Sequence, residues 1–242
     1  MTNQRIDRGV SITFLGHACF RIVDPKGIAI LVDPWIKDNP QSPSPPQDLG
    51  KIDMILVTHA HGDHLGDTIA LAKASGATVI SMPEVSQYLI RKGVNPEKAV
   101  GMNKGGTLTM GELSITMVHA IHSSSIAEGD DLIYGGEAAG FVVRFSNGFG
   151  FYHAGDTGVF GDMKIIGELY KPELAMLPIG NHYVMGPEEA AYACRLLKPK
   201  YVIPMHFGTF PVLTGTPEKF RELMKSVPEV EVLVMQPGET LR

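Results

Sequence analysis

A chain of 242 residues fits one large domain or two intimately fused halves, and is read here as a single domain over residues 1–242. Its 44% hydrophobic and 19% charged content suits a globular protein with a sizeable core and excludes a disordered one. A formal charge of −5 gives no basic footprint for nucleic acid, although a local basic patch can sit in a net-acidic chain. No apolar run approaches a membrane span. Cys19 and Cys194 are far apart and have no partner at metal or redox spacing, so both are expected to be reduced and buried. The stretch Met1–Arg8 has no apolar centre that could serve as a signal peptide. Together these features point to the cytoplasm.

Residues 10–15 and 19–24 read as short strands around Gly16-His17-Ala18, with a turn at Asp24-Pro25-Lys26-Gly27. Residues 27–32 form a third strand ending in Asp33-Pro34-Trp35. Prolines 40, 43, 45 and 46 make 37–50 a loop, either one that reaches over a site or a surface excursion. The apolar run Met54-Ile55-Leu56-Val57 reads as a buried parallel strand. It stops at Thr58-His59-Ala60-His61-Gly62-Asp63-His64, where open α/β sheets place ligands. Residues two apart on an extended segment share a face, so His59 and His61 can point at one ion. Three imidazoles and a carboxylate on one strand tip are costly to keep unless a metal satisfies them.

Helices are expected over 67–75, with Asp67 as cap and Gly76 as stop, and over 84–92, ended by Gly93. A strand at 77–81 separates them. A hairpin at 107–110 and 113–119 follows, then a polar loop over 120–136. Strands at 139–145 and 150–153 flank Asn147-Gly148, a strong hairpin signal, and lead to Gly155-Asp156-Thr157. Alternating helices (162–170, 187–197, 217–227) and strands (174–177, 201–205, 230–235) complete the chain, with His206 at a strand tip. Each half thus runs from antiparallel hairpins into alternating helix and strand. This suits an α/β, four-layer αββα sandwich, although the pattern alone would also permit one mixed sheet.

His59-x-His61-x-Asp63-His64 after a strand resembles the signature of the metallo-β-lactamase-fold hydrolases, and the resemblance extends over nearly the whole chain. It implies the αββα sandwich. It also gives roles to Asp33, which would support the metal-ligand loop without binding metal, and to His122-Ser123, Asp156 and His206. Carried over, one divalent ion would be held by His59, His61 and His122, and a second by Asp63, His64 and His206. Asp156 would bridge the two. A shared carboxylate makes physical sense, since two cations about 3.5–4 Å apart repel. Zinc suits the histidines, and manganese or iron would also be admitted. His119 competes with His122, but it continues the alternation of Leu113, Ile115 and Met117 and reads as a strand residue facing the core.

The remaining histidines carry open alternatives. His17 would line the site or serve a turn. His153 would support Asp156 or bond within the core. His182 would donate a proton to the leaving group. Asp63 would orient the nucleophile as well as bind metal.

The short motifs around His17, Asp33, His122 and Asp156 are similar to those of the ascorbate-6-phosphate lactonase group and of its relatives known only as metal-dependent hydrolases. The resemblance implies a binuclear enzyme in which a metal-bridging hydroxide attacks a small ester, lactone or phosphoester. The alternatives are a phosphodiesterase of the ribonuclease Z type, for which no basic arm is visible, and an iron-dependent redox member of the fold. A non-catalytic binding protein on the same scaffold would have no physical reason to keep seven metal ligands. The expected partner is a small-molecule substrate, with no nucleic acid and no membrane, and assembly into a homo-oligomer is an analogy with the fold.

Overall fold

The computed structural model describes residue 6 and residues 8–43 and 49–242. Most of the amino-terminal stretch, and Pro45 and Pro46 of the proline-bearing loop, lie outside the described residues. Residues 37–43 of that loop carry neither strand nor helix. The chain divides into two compact units, one of residues 1–103, 123–137 and 235–242 and one of residues 104–122 and 138–234.

In the first unit, β1 (Ser11–Phe14), β2 (Phe20–Val23) and β3 (Ala29–Val32) pair antiparallel. The sheet continues in parallel through β4 (Met54–Leu56), β5 (Thr78–Ser81) and β6 (Ala99–Gly101). Parallel pairing needs crossovers. Those from β4 to β5 and from β5 to β6 are supplied by the one-turn helix α1 (Gly62–Leu65) with α2 (Thr68–Ser75), and by α3 (Pro83–Arg91), which has proline at its first position. The strands β3, β4 and β5 are buried at every residue, as continuous apolar runs in a covered parallel sheet should be.

The second unit repeats this layout. The hairpin β7 (Thr107–Met110) and β8 (Leu113–His119) joins β11 (Ala139–Arg144) and β12 (Gly150–His153) in antiparallel fashion. The sheet then runs parallel through β13 (Leu174–Pro178), β14 (Tyr201–Met205) and β15 (Glu231–Val232). The crossovers are α4 (Met163–Tyr170), α5 (Pro187–Leu197) and α6 (Pro217–Met224). Two of these starts are chemically specified. Glu189 reaches back to the Gly186 N–H, and Thr216 Oγ1 accepts from Lys219 N at 3.2 Å. Tyr152, Met163, Leu177, Cys194 and Phe220 belong to the buried core of this unit.

The α/β class and the two large mixed sheets match the expectation from sequence, and most elements fall within a residue or two of it. Several details differ. The 120–136 segment, expected to be a loop, carries a hairpin of β9 (Ser125–Glu128) and β10 (Asp131–Tyr134). Its polar composition hides the alternation, in which Ile126 is buried while Ala127 is exposed. The final strand shrinks from 230–235 to β15, and the last helix stops at Met224 instead of 227. A two-residue strand, β16 (Thr240–Leu241), closes onto β1 and is too short to show a period. His119, the last residue of β8, is exposed instead of facing the core, because its ring takes the edge of Phe160 at the end of the strand without being covered. Among the described residues no helix is long and apolar enough to cross a membrane.

Candidate metal centre

In the first unit the carboxyl ends of the parallel strands β3 and β4 deliver the polar residues. Asp33 follows β3 directly and takes a left-handed backbone, φ 46°. That turn aims its carboxylate at the next strand's tip. Asp33 Oδ1 accepts from the Thr58 backbone N–H at 2.8 Å, and Oδ2 accepts the Thr58 hydroxyl at 2.7 Å. Asp33 Oδ2 also lies 2.8 Å from His64 Nδ1, both side chains being fully buried. Since a carboxylate oxygen accepts, Nδ1 carries the hydrogen and Nε2 keeps its lone pair for a metal. The Thr58 hydroxyl, whose hydrogen is committed to Asp33, accepts from His59 Nδ1 at 3.1 Å, and the same logic leaves His59 Nε2 as an electron-pair donor.

His59 Nε2 and His61 Nδ1 stand 3.0 Å apart. Two nitrogens on one tetrahedral zinc stand about 3.3 Å apart, given zinc–nitrogen bonds of about 2.0–2.1 Å. His17, Asp63 and His64 offer ligand atoms within 4.8 Å of one another, with His17 Nε2 3.2 Å from Asp63 Oδ2. His17 is wholly buried and has its ring edge against Trp35.

Two clamps hold this arrangement. Gly66 sits so close to the turn after β3 that a Cβ there would lie 2.5 Å from Trp35 Cα and 2.6 Å from the Pro34 carbonyl oxygen, at φ 41°. Only glycine fits. Asp67 then anchors the same turn by accepting from Ile36 N and Lys37 N at 2.9 and 2.8 Å. This use of its side chain explains why it makes no cap bond to α2. The second clamp is Ser124, whose Oγ takes the Ala60 N–H at 3.1 Å and donates to Gly135 O at 2.9 Å. It fastens the root of the β9–β10 hairpin between His59 and His61, and Ser123 Oγ lies 3.4 Å from His61 Nε2.

In the second unit the candidate donors again follow strand ends. Asp156 comes three residues after β12 and His206 directly after β14, with φ 56°. His206 Nε2 lies 3.0 Å and His122 Nε2 3.6 Å from the same atom, Asp156 Oδ2. Asp156 and His206 are almost wholly buried, and His122 is half-buried. Thr157 ties the Asp156 segment to the His122 loop and to the loop after β13, taking the Ile121 N–H on Oγ1 at 3.0 Å and the Met185 N–H on its carbonyl at 3.0 Å. His153 is buried and accepts from Gly155 N at 3.2 Å, so it shapes the turn into Asp156. His119 lies outside this group, with its ring against Phe160 and Nδ1 3.4 Å from Lys104 Nζ. His182 is exposed, at φ 62°, with its ring against Tyr183.

Residues 29–207 match the β-lactamase superfamily domain. The chain belongs to the metallo-β-lactamase superfamily. Within it, the chain is 53% identical to a UPF0173 metal-dependent hydrolase of Koribacter versatilis over 96% of its own length and 98% of the relative's. It is 52% identical to one of Rubrobacter xylanophilus over 96% of each chain. A solved metallo hydrolase of the archaeon Ignicoccus hospitalis superposes with a TM-score of 0.85 at 38% identity, covering 96% of this chain and 97% of that one. The chain is thus a metal-dependent hydrolase of this superfamily, and its histidine and aspartate groups are candidate metal binders. Nitrogen and oxygen donors with no cysteine among them suit zinc, manganese or iron in such a hydrolase.

Sequence reasoning did not find the parts played by Thr58, Trp35 and Ser124. The signal for Thr58 was present, as a hydroxyl residue following an apolar strand immediately before His59, the first candidate ligand.

Proposed function

We propose that the histidine and carboxylate groups of the two units serve one binuclear hydrolytic centre acting on a small ester, lactone or phosphoester. The observation that carries this reading is a single carboxylate oxygen, Asp156 Oδ2, facing both His122 and His206, which is what a bridging ligand requires. In this reading His59, His61 and His122 hold one divalent ion, Asp63, His64 and His206 hold a second, and Asp156 is shared. Zinc suits these donors best. The ions would supply Lewis acidity toward the substrate's carbonyl or phosphoryl oxygen and a water acidified to a pKa of about 7.

The chain's own residues do the rest. Asp33 fixes the tautomer of His64 directly and that of His59 through Thr58. His17 holds the carboxylate of Asp63 in place, leaving Asp63 to orient the attacking water. His182, on the exposed loop after β13, holds a proton for the leaving group. The substrate is a small molecule, the setting cytoplasmic, and assembly into a homo-oligomer is compatible with the fold.

The test joins metal analysis of protein purified without added metal to turnover of a panel of lactones, esters and phosphodiesters. Two equivalents of metal with turnover of one of these classes is the expected result. Two equivalents with no turnover across the panel would remove the substrate class. One equivalent would remove the binuclear reading, and iron with oxygen uptake would replace hydrolysis by redox chemistry.

A further inference from the structure

At the edge of the second unit's sheet remote from its metal donors, a cavity of about 470 Å³ opens between the carboxyl ends of α4 and α5. This volume lies in the range of small-molecule sites. Lys200, at its rim, precedes β14 and His206 follows it. Six residues of extended chain, roughly 20 Å, separate the two.

The lining is cationic in a chain of net charge −5. Lys164, Lys171, Arg195, Lys198 and Lys200 face two carboxylates, Glu168 and Glu173. Three of the five cations have other contacts. Lys164 pairs with Glu168, Arg195 donates to Ser226 and Lys200 lies over the Tyr201 ring. Lys171 and Lys198 are different. Among the described residues neither ammonium takes part in a hydrogen bond or ion pair.

Both lysines also stand on strained backbone. Each ends its helix in the left-handed region, Lys171 at φ 44°, ψ 58° and Lys198 at φ 51°, ψ 50°. Helices usually place glycine at that position because a Cβ is penalised there. Each lysine also precedes a proline, which disfavours helical backbone further. The two helix ends meet closely, since a Cβ on Gly167 would lie 2.4 Å from Leu197 O. The same strained helix-Lys-Pro-strand connection thus occurs twice in one unit, and each occurrence sets an unpartnered ammonium on one concave wall.

A residue retained against its own backbone preference points to a use for its side chain. A structural alternative is that lysine complements the negative helix end, which glycine capping would replace with less strain. We infer that this cavity binds a small polyanion, a molecule carrying two or more carboxylate or phosphate groups, with Lys171 and Lys198 as its principal contacts. The site is separate from the metal donors and its occupation does not depend on the hydrolytic reading.

The probe is benzene-1,3,5-tricarboxylate, whose carboxylates stand too far apart to chelate one ion, titrated calorimetrically into the metal-loaded protein at low and high salt. The wild-type protein should bind one equivalent, more weakly as salt rises. Lys171→Gly/Lys198→Gly should bind at least tenfold more weakly while melting at the same or a higher temperature, with metal content and turnover unchanged. Failure of the wild-type protein to bind at millimolar probe would overturn the inference. So would equal binding by the double variant, which would place the anion elsewhere, the metal centre included. A lower melting temperature with unchanged affinity would establish the purely structural role instead. Single-stranded oligonucleotides whose affinity grows with length and exceeds that of the trianion would make this surface a nucleic-acid track and overturn the small-ligand reading.

Discussion

Asp33 Oδ2 lies 2.8 Å from His64 Nδ1 with both side chains sealed from solvent, so one carboxylate fixes which nitrogen of His64 is available to a metal. Partners of this kind contribute about 10–100-fold to metal affinity. Asp33→Asn keeps the shape and removes the charge, and metal affinity measured by chelator competition should fall by that order. Unchanged affinity would detach Asp33 from the centre.

The exposed His119 and the half-buried His122 give opposite expectations. His122 lies 3.6 Å from the Asp156 oxygen, whereas His119 lies against Lys104 and Phe160 and pairs with Ala139 in the sheet. His122→Ala should lower bound metal and cut turnover by on the order of 100-fold or more, the scale of losing a positioned catalytic group. His119→Ala should leave both near wild type. Equal metal loss from His119→Ala would reverse the assignment.

Gly66→Ala would drive a methyl to within 2.5–2.8 Å of Trp35 and Pro34 backbone atoms at a left-handed φ. Overpacking and backbone strain add here, and urea unfolding should show a loss of about 3 kcal/mol or more. Because Asp67 N also bonds to Pro34 O, the damage should reach the turn that carries Asp33, so metal affinity should fall with stability. A loss below about 1 kcal/mol would show that this contact relaxes easily.

The two cysteines predict the alkaline limb of the stability curve. Burial pushes the Cys194 thiol up to about 12. Burial, and then Asp33 and Asp67, push the Cys19 thiol well above its ordinary range. The folded state therefore keeps protons that the unfolded chain releases above a pH of about 8.5, the ordinary thiol value. Stability is thus undiminished below that pH and declines as pH rises toward the folded values, by at most about 1.4 kcal/mol per unit for each thiol. Urea midpoints at pH 8 and pH 10 should differ in this direction, and Cys194→Ala should flatten the slope. Neither thiol should react with a disulfide reagent at pH 8 until the protein unfolds. A rapid native reaction would contradict the burial.

The histidine cluster after β4, the first motif aspartate and the strand-tip positions of Asp156 and His206 were legible in the sequence. Hydrophobic period, turn residues and ligand spacing are local properties written in consecutive residues. The β/α alternation was legible for the same reason, as were the reduced, buried cysteines.

The hairpin over 125–134 was not legible, because its strands are short, largely exposed and tied by Ser124 to a loop 64 residues earlier in the chain. His119 was misplaced because alternation tells which face a residue takes and not whether anything covers that face. The relay from Asp33 through Thr58 to His59, the glycine clamp at Gly66 and the cationic wall at Lys171 and Lys198 depend on segments that meet only after folding. Local chemistry fixed which side chains could bind a metal. Tertiary packing decided which nitrogen each histidine offers and which carboxylate holds it there.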